Sequence, residues 1–371
     1  MTKKPKVAIA TEFLTQMGGA QKTLEAILEL YPDAPVYTAK YDPTKLEKTI
    51  ISRKIIFPKD KFINKIGKHF FVFTMSPIFE NFDFRDFDLV ISDGTTWNKG
   101  ILTKPDQLHI TYIHTPPRFL YGYSREGTKW DKGPLRRFIY SYMANILRLW
   151  DYVAAQRPDF IVANSKEIQK RIKKFYGRDS TVIYPPVEVN YKTPDRKPDV
   201  IDKPYFLATG RLVTYKNFDI LIEAFNKLGW PLVVVGTGSE ENKLRAMAKE
   251  NIIFTGRASE DDKHVLMEHS LGLINMVEDE DFGIVPIEIQ AHGKPALVHR
   301  SAGHLETVTE GLSGMYFENL EIDHLVEKIK QFKKAIDEGT FDSNIIKENV
   351  QKYSKERFKK EFSDFVESKL S

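Results

Sequence analysis

The chain has 371 residues, enough for two or three domains. Its 42% hydrophobic and 29% charged residues exclude a disordered polymer. A net charge of +4 gives no reason to expect a nucleic-acid partner, and the lack of cysteine excludes disulfides, thiolate metal sites and a cysteine nucleophile. No apolar run reaches the roughly 20 residues of a membrane-spanning helix. The apolar core Val7–Ala10 is too short for a signal peptide and reads as a first buried strand, so a cytoplasmic protein is expected.

In chain order, strands are predicted at Lys6–Thr11, Pro35–Ala39, Phe87–Ser92, His109–His114, Phe160–Asn164 and Thr181–Tyr184. Several are apolar on both faces, as in a parallel sheet covered by helices. Helices are predicted at Ala20–Leu30, Leu135–Gln156 and, after an Asn-Ser cap, Lys166–Phe175. Pro185-Pro186 stops this series, and the polar stretch that follows, with Pro194 and Pro198, reads as a linker. A second series starts at Tyr205. Its strands are Tyr205–Thr209, Leu232–Val235, Ile252–Thr255, Leu271–Met276 and Ala296–His299. Its helices are Asp219–Leu228, Glu240–Lys249, His264–His269 and one starting at Ile287–Ala291. Alternating β and α in both halves predicts two doubly wound domains, whose ligands sit beyond the carboxyl ends of the strands. The expected division is 1–190, a linker at 191–203, a second domain at 204–352 and a charged terminal helix at 353–371.

Four motifs carry chemistry. Glu280-Asp-Phe-Gly-Ile-Val-Pro-Ile-Glu288 sets two glutamates around a Phe-Gly turn. Pro286 suits a first helical turn, where N–H groups near Gly283, Ile284 and Val285 favour an anion. The two acids would bind sugar or ribose hydroxyls, although a capped helix with an acidic start has the same pattern. Gly210-Arg211-Leu-Val-Thr-Tyr-Lys216 follows a strand, and its two cations suit a diphosphate; solvated surface charge is the other reading. Met17-Gly18-Gly19-Ala20 permits close approach of backbone to a phosphate or sugar, or makes a plain turn. Neither it nor Gly236-Thr-Gly238 is a complete dinucleotide fingerprint. His114 ends a strand, where it suits a substrate hydroxyl or phosphate as well as a structural role.

In combination these residues resemble the retaining glycosyltransferases of family 4, which have the GT-B fold: two Rossmann-like doubly wound domains facing across a cleft. The resemblance is strongest from Tyr205 to Phe317 and includes Gly293-Lys-Pro295, Gly303, Glu306-Thr-Val308 and Gly311-x-x-Gly314. It implies that Glu280 contacts the transferred sugar and Glu288 the donor ribose, and that Arg211 and Lys216 bind the diphosphate. It further implies that the backbone of Phe282, Gly283, Ile284 and Val285 touches sugar and phosphate, and that Arg257 lies near the base. His114 would contact the donor sugar, with Gly18-Gly19 at the diphosphate. The terminal helix would return to the first domain. Tyr112–Arg118 and Trp150–Tyr184 most resemble bacterial mannosyltransferases of surface polysaccharides. The expected donor is therefore GDP-mannose or a UDP-hexose, used as substrate without a metal or other cofactor, and the expected acceptor is a glycan or a lipid-linked sugar. The alternative is a catalytically silent GT-B scaffold. Asp86-Phe-Asp88 imitates a metal motif but precedes an apolar strand, so it is read as a decoy.

Contact with an anionic membrane, at the inner face of the plasma membrane, is the last expectation. Residues 40–80 carry nine Lys/Arg against four Asp/Glu. Lys61, Lys65 and Lys68 share a helical face interleaved with Phe62, Ile63, Ile66, Phe70 and Phe71, and Arg136, Arg137 and Arg148 would add to it. The same pattern suits a solvated face over a core.

Overall fold

The computed structural model describes residues 5–58, 68–122 and 133–370. They form two compact units: residues 5–58, 68–122, 133–186 and 355–370 make one, and 187–354 the other. Both are built on wholly parallel sheets.

The first unit has strands β1 (Val7–Leu14), β2 (Val36–Tyr41), β3 (Ile55–Ile56), β4 (Leu89–Gly94), β5 (Leu108–Ile113), β6 (Phe160–Ala163) and β7 (Thr181–Val182), in the spatial order 3-2-1-4-5-6-7. Alternate residues of each strand feed opposite faces. Ile9 and Ile91 enter one core with Leu24 and Ile27; Ala8, Ala10 and Val90 enter the other with Phe79 and Leu147. Burial on both faces explains the unbroken apolar runs in the sequence. The last helix, Lys355–Leu370, belongs to this unit. Phe358, Phe362 and Val366 join the first of its cores, and Lys355 and Lys359 both pair with Glu29 of the helix Gly19–Leu30.

The second unit has β8 (Phe206–Thr209), β9 (Leu232–Val235), β10 (Ile252–Gly256), β11 (Gly272–Asn275), β12 (Ala296–His299) and β13 (Gly314–Phe317), in the order 10-9-8-11-12-13. Phe206 and Ala208 face one core, Leu207 and Val233 the other.

The doubly wound parallel class is the one expected from the sequence. β3 and β13 escape the sequence because one has two residues and the other starts on a glycine inside a turn-rich run. The helix expected from Ile287 begins three residues earlier, at Ile284, since Gly283 adopts a left-handed φ of 98° and releases the chain into it. The basic, aromatic segment 61–67 lies outside the described residues, and so do the side chains of Lys68, Phe70, Phe71 and Arg136. Arg148 donates to the Leu120 carbonyl and is turned toward its own unit. Asp88 accepts the Lys6 backbone N–H at the amino end of β4, away from the strand ends where ligands gather. Among the described residues no helix is long and apolar enough to cross a membrane.

Candidate active site

In the second sheet β8 connects outward to β9 and β10, and β11 then returns on the other side of β8. The chain thus reverses direction between β8 and β11, and the carboxyl ends of these two strands mark the usual position of a ligand crevice in such sheets. Lys216 comes from the first loop and Glu280 from the second. Lys216 Nζ lies 3.2 Å from Glu280 Oε2, with the two side chains 17% and 18% exposed. The pair is held in place without being sealed from a ligand.

Neighbouring groups fix both loops. Asn217 adopts a left-handed φ of 53°, which asparagine tolerates better than most residues, and its Nδ2 donates to the Met276 carbonyl at 3.0 Å. Gly236 (φ 140°) lies so close to the first loop that a Cβ would stand 1.9 Å from the Gly210 carbonyl oxygen; at Gly238 the distance to the Leu212 oxygen would be 2.1 Å. These two glycines therefore back the cationic loop. On the other side, the Gly303 N–H donates to the Glu280 carbonyl at 2.8 Å, and a Cβ at Gly303 would strike the Phe282 backbone.

The remaining predicted residues of this unit lie in the loop after β8, at the start of the helix Ile284–Ala291 and in the loop after β10. The Arg211 guanidinium is exposed and donates to the Tyr215 hydroxyl at 3.2 Å; Lys216 Nζ lies 5.4 Å from the Tyr215 ring centre. Gly283 opens the helix Ile284–Ala291, which has no side-chain cap. The ring of Phe282 is buried against Tyr353, so only its backbone faces the loop. Ile284 and Val285 are half-buried in the first turn. Glu288 is not joined to Glu280 by any described contact; it pairs with Lys263 at 3.1 Å, which also holds Glu260 at 3.0 Å. Burial opposes the Lys263 charge, but the Glu288 and Glu260 carboxylates overcome it and hold the ammonium above its ordinary pKa. Arg257 is exposed in the loop after β10, two strands away from β8.

Sequence reasoning missed Lys263, Asn217 and His304. His304 is fully buried behind Gly283. Its Nδ1 donates to the His299 carbonyl at 3.0 Å, and its Nε2 has no described partner. Burial pushes the imidazole down to about 4. The unfolded chain would protonate near the ordinary value of about 6.5. The stability His304 contributes is therefore complete above that value and is lost as pH falls toward 4, at about 1.4 kcal/mol per pKa unit. Melting curves between pH 7 and 4.5 should show a shallower acid slope for His304→Gln than for the parent. Parallel slopes would exclude His304 from the acid response.

In the first sheet the same reversal falls between β1 and β4. Gly18 ends the loop after β1 and Gly19 opens the helix Gly19–Leu30, both exposed; Gly18 is extended, and a Cβ there would meet only the Gln21 side chain. His114, just after β5, pairs through Nε2 with Asp93 Oδ1 at 2.8 Å, and Asp93, next to last in β4, has its Oδ2 buried and without a described partner. Beside them, the Glu12 carboxylate accepts the Thr95 hydroxyl and the Thr96 and Trp97 N–H groups. Lys99 Nζ donates to the Thr96 carbonyl at 2.6 Å and to Asp151 Oδ1 at 2.5 Å, while Tyr121 and Tyr176 hydroxyls donate to Asp151 Oδ2 at 2.9 Å each. Glu12, Lys99 and Asp93 were not singled out in the sequence. An acid closing an apolar strand before glycine, as in Leu89-Val-Ile-Ser-Asp-Gly94, was the available signal.

Two Rossmann-like units with wholly parallel sheets, one carrying a lysine–glutamate pair at its point of reversal, define a protein of the GT-B glycosyltransferase fold. Residues 192–352, within the second unit, match the family model described as Glycosyl transferases group 1. The O-antigen chain mannosyltransferase C of Escherichia coli is 25% identical over 159 residues, which cover 40% of this chain and 41% of that protein. The GDP-mannose-dependent monoacylated alpha-(1-6)-phosphatidylinositol monomannoside mannosyltransferase of Corynebacterium glutamicum is 28% identical over 200 residues, covering 46% and 51%. The chain thus spans about half or less of the length of these curated relatives. Among solved structures, HepE of Anabaena in complex with UDP and glucose superposes with a TM-score of 0.70 at 19% identity, over 96% of this chain and 99% of that one. At that identity the likeness concerns the fold.

Proposed function

We propose that the chain is a retaining glycosyltransferase that moves a hexose from a nucleotide-sugar donor to a glycan or lipid-linked acceptor. The Lys216–Glu280 pair at the reversal between β8 and β11 carries this reading. In the free protein each charge satisfies the other. A donor would separate them: Lys216, with Arg211, takes the diphosphate, and Glu280 turns to the hydroxyls of the sugar. The uncapped start of Ile284–Ala291 adds N–H groups to the same anion. Glu288, held by Lys263, is assigned to the ribose, and Arg257 to the base.

In the transfer itself the acceptor hydroxyl oxygen forms the new bond to the anomeric carbon as the bond from that carbon to the diphosphate breaks. The departing phosphate oxygen takes the acceptor proton on the same face, so the configuration is retained. The work of the protein is positioning and stabilisation of the growing diphosphate charge, for which the loop cations serve without a metal. His114, oriented by Asp93, is assigned to the donor sugar, and Gly18-Gly19 to close approach at the diphosphate. Mannose from GDP-mannose is the favoured donor, supported by the names of the relatives above, with a UDP-hexose as the other choice. The site of action is the cytoplasm, at the inner face of the plasma membrane.

A melting panel of GDP, UDP, ADP and their sugars tests this. The preferred nucleotide should raise the melting temperature by mass action, and its sugar should be turned over with an acceptor. Stabilisation by a nucleotide without hydrolysis or transfer of its sugar would assign a silent scaffold; no response to any nucleotide would remove the donor site.

A further inference from the structure

The helix Pro134–Ala154 has two apolar faces. Ala144, Leu147 and Ala154 are buried in its own unit. On the other side Leu135, Phe138, Tyr142, Ile146, Leu149 and Val153 recur at spacings of three and four and are 43% to 71% exposed. A row of that kind is one side of a helix, here about 30 Å long. Single exposed apolar residues are ordinary on a protein surface, but a continuous stripe marks an interaction site.

We propose that this stripe lies in the surface of an anionic lipid bilayer. Charge chooses the occupant. From Arg118 to Arg137, at the start of the helix and just before it, the sequence has six Lys/Arg against two Asp/Glu. Arg137 is exposed in the first turn of the helix, beside the stripe. A second copy of the chain, docked on the same face by two-fold symmetry, would bring this positive excess against itself. Anionic headgroups would neutralise it while the acyl boundary takes the apolar side chains. The phenol of Tyr142 adds an apolar ring with a polar tip, which suits that boundary. Because the opposite face is fastened into the core, the helix lies along the membrane and does not cross it. The helix Lys68–Glu80 shares this core through Met75, Ile78 and Phe79, and the chain leading to it carries the basic excess of residues 40–80. The stripe uses no residue assigned to the donor, so it stands or falls independently of the transfer reaction.

Sedimentation of the full chain with vesicles tests the proposal. Vesicles of phosphatidylcholine mixed with phosphatidylglycerol should retain about tenfold or more protein than phosphatidylcholine alone, and salt should weaken the difference. The double substitution Phe138→Glu/Leu149→Glu should lower that binding by about tenfold or more with no change in melting temperature, because both side chains are exposed. Arg137→Glu should lower only the component that depends on phosphatidylglycerol. Equal binding to both vesicle types, or parental binding by the double variant, would overturn the proposal. So would a dimer in analytical ultracentrifugation that the double variant abolishes, since the face would then belong to a second copy.

Discussion

Glu280→Gln is expected to lower sugar-transfer turnover by about 100-fold or more while leaving the fold intact. Glutamine keeps the shape of the side chain but removes the charge that faces Lys216 at 3.2 Å. The cost in stability should be small, because a partly exposed ion pair contributes about 1 kcal/mol or less. The cost in rate should be large, because a carboxylate accepts hydrogen bonds from sugar hydroxyls more strongly than an amide oxygen does, and does so in a crevice partly screened from water. Affinity for the nucleoside diphosphate alone should stay the same or rise, since Lys216 is no longer engaged. Turnover within threefold of the parent would remove Glu280 from the reaction.

Lys99→Met is expected to destabilise the first unit by about 3–5 kcal/mol. The lysine is 1% exposed and Asp151 is fully buried. Lys99 is satisfied by Asp151 and by the Thr95 and Thr96 carbonyls; the aspartate is satisfied by lysine and two tyrosines. Removing the cation strands a buried carboxylate and frees the loop Thr95–Trp97, whose other anchor is Glu12. Replacing both partners, in Lys99→Met/Asp151→Leu, should recover part of the loss, because no buried charge is then left alone. Denaturant unfolding with an unchanged m-value measures the difference. A single substitution that costs less than about 1 kcal/mol would show that water reaches the aspartate.

The two sheets were legible because parallel strands covered on both faces leave unbroken apolar runs. Leu232–Val235 and Ala296–His299 have the limits their sequences suggest, and Phe160–Ala163 is one residue short of its run. Ile55–Ile56 was not legible: two residues make no period, and they become a strand only because β2 lies beside them. The residue types at Arg211, Lys216, Glu280 and Glu288 were readable from their spacing, but their partners were not. Lys216 and Glu280 are 64 residues apart and meet because β11 returns beside β8, an order that no local pattern records. Lys263 stood in a charged helix start, indistinguishable from a solvated lysine until the structure set it against Glu288. Gly236 and Gly238 looked like half of a nucleotide fingerprint; packing shows why glycine is needed there, since two loop backbones touch.

Titration of GDP and UDP into the parent and into Lys216→Ala by calorimetry probes the diphosphate site at its cation. The parent should bind one of the two nucleotides, and the alanine variant should bind it about tenfold or more weakly at an unchanged melting temperature. Equal affinities would mean that the diphosphate rests elsewhere, and the crevice between β8 and β11 would lose its claim to the donor.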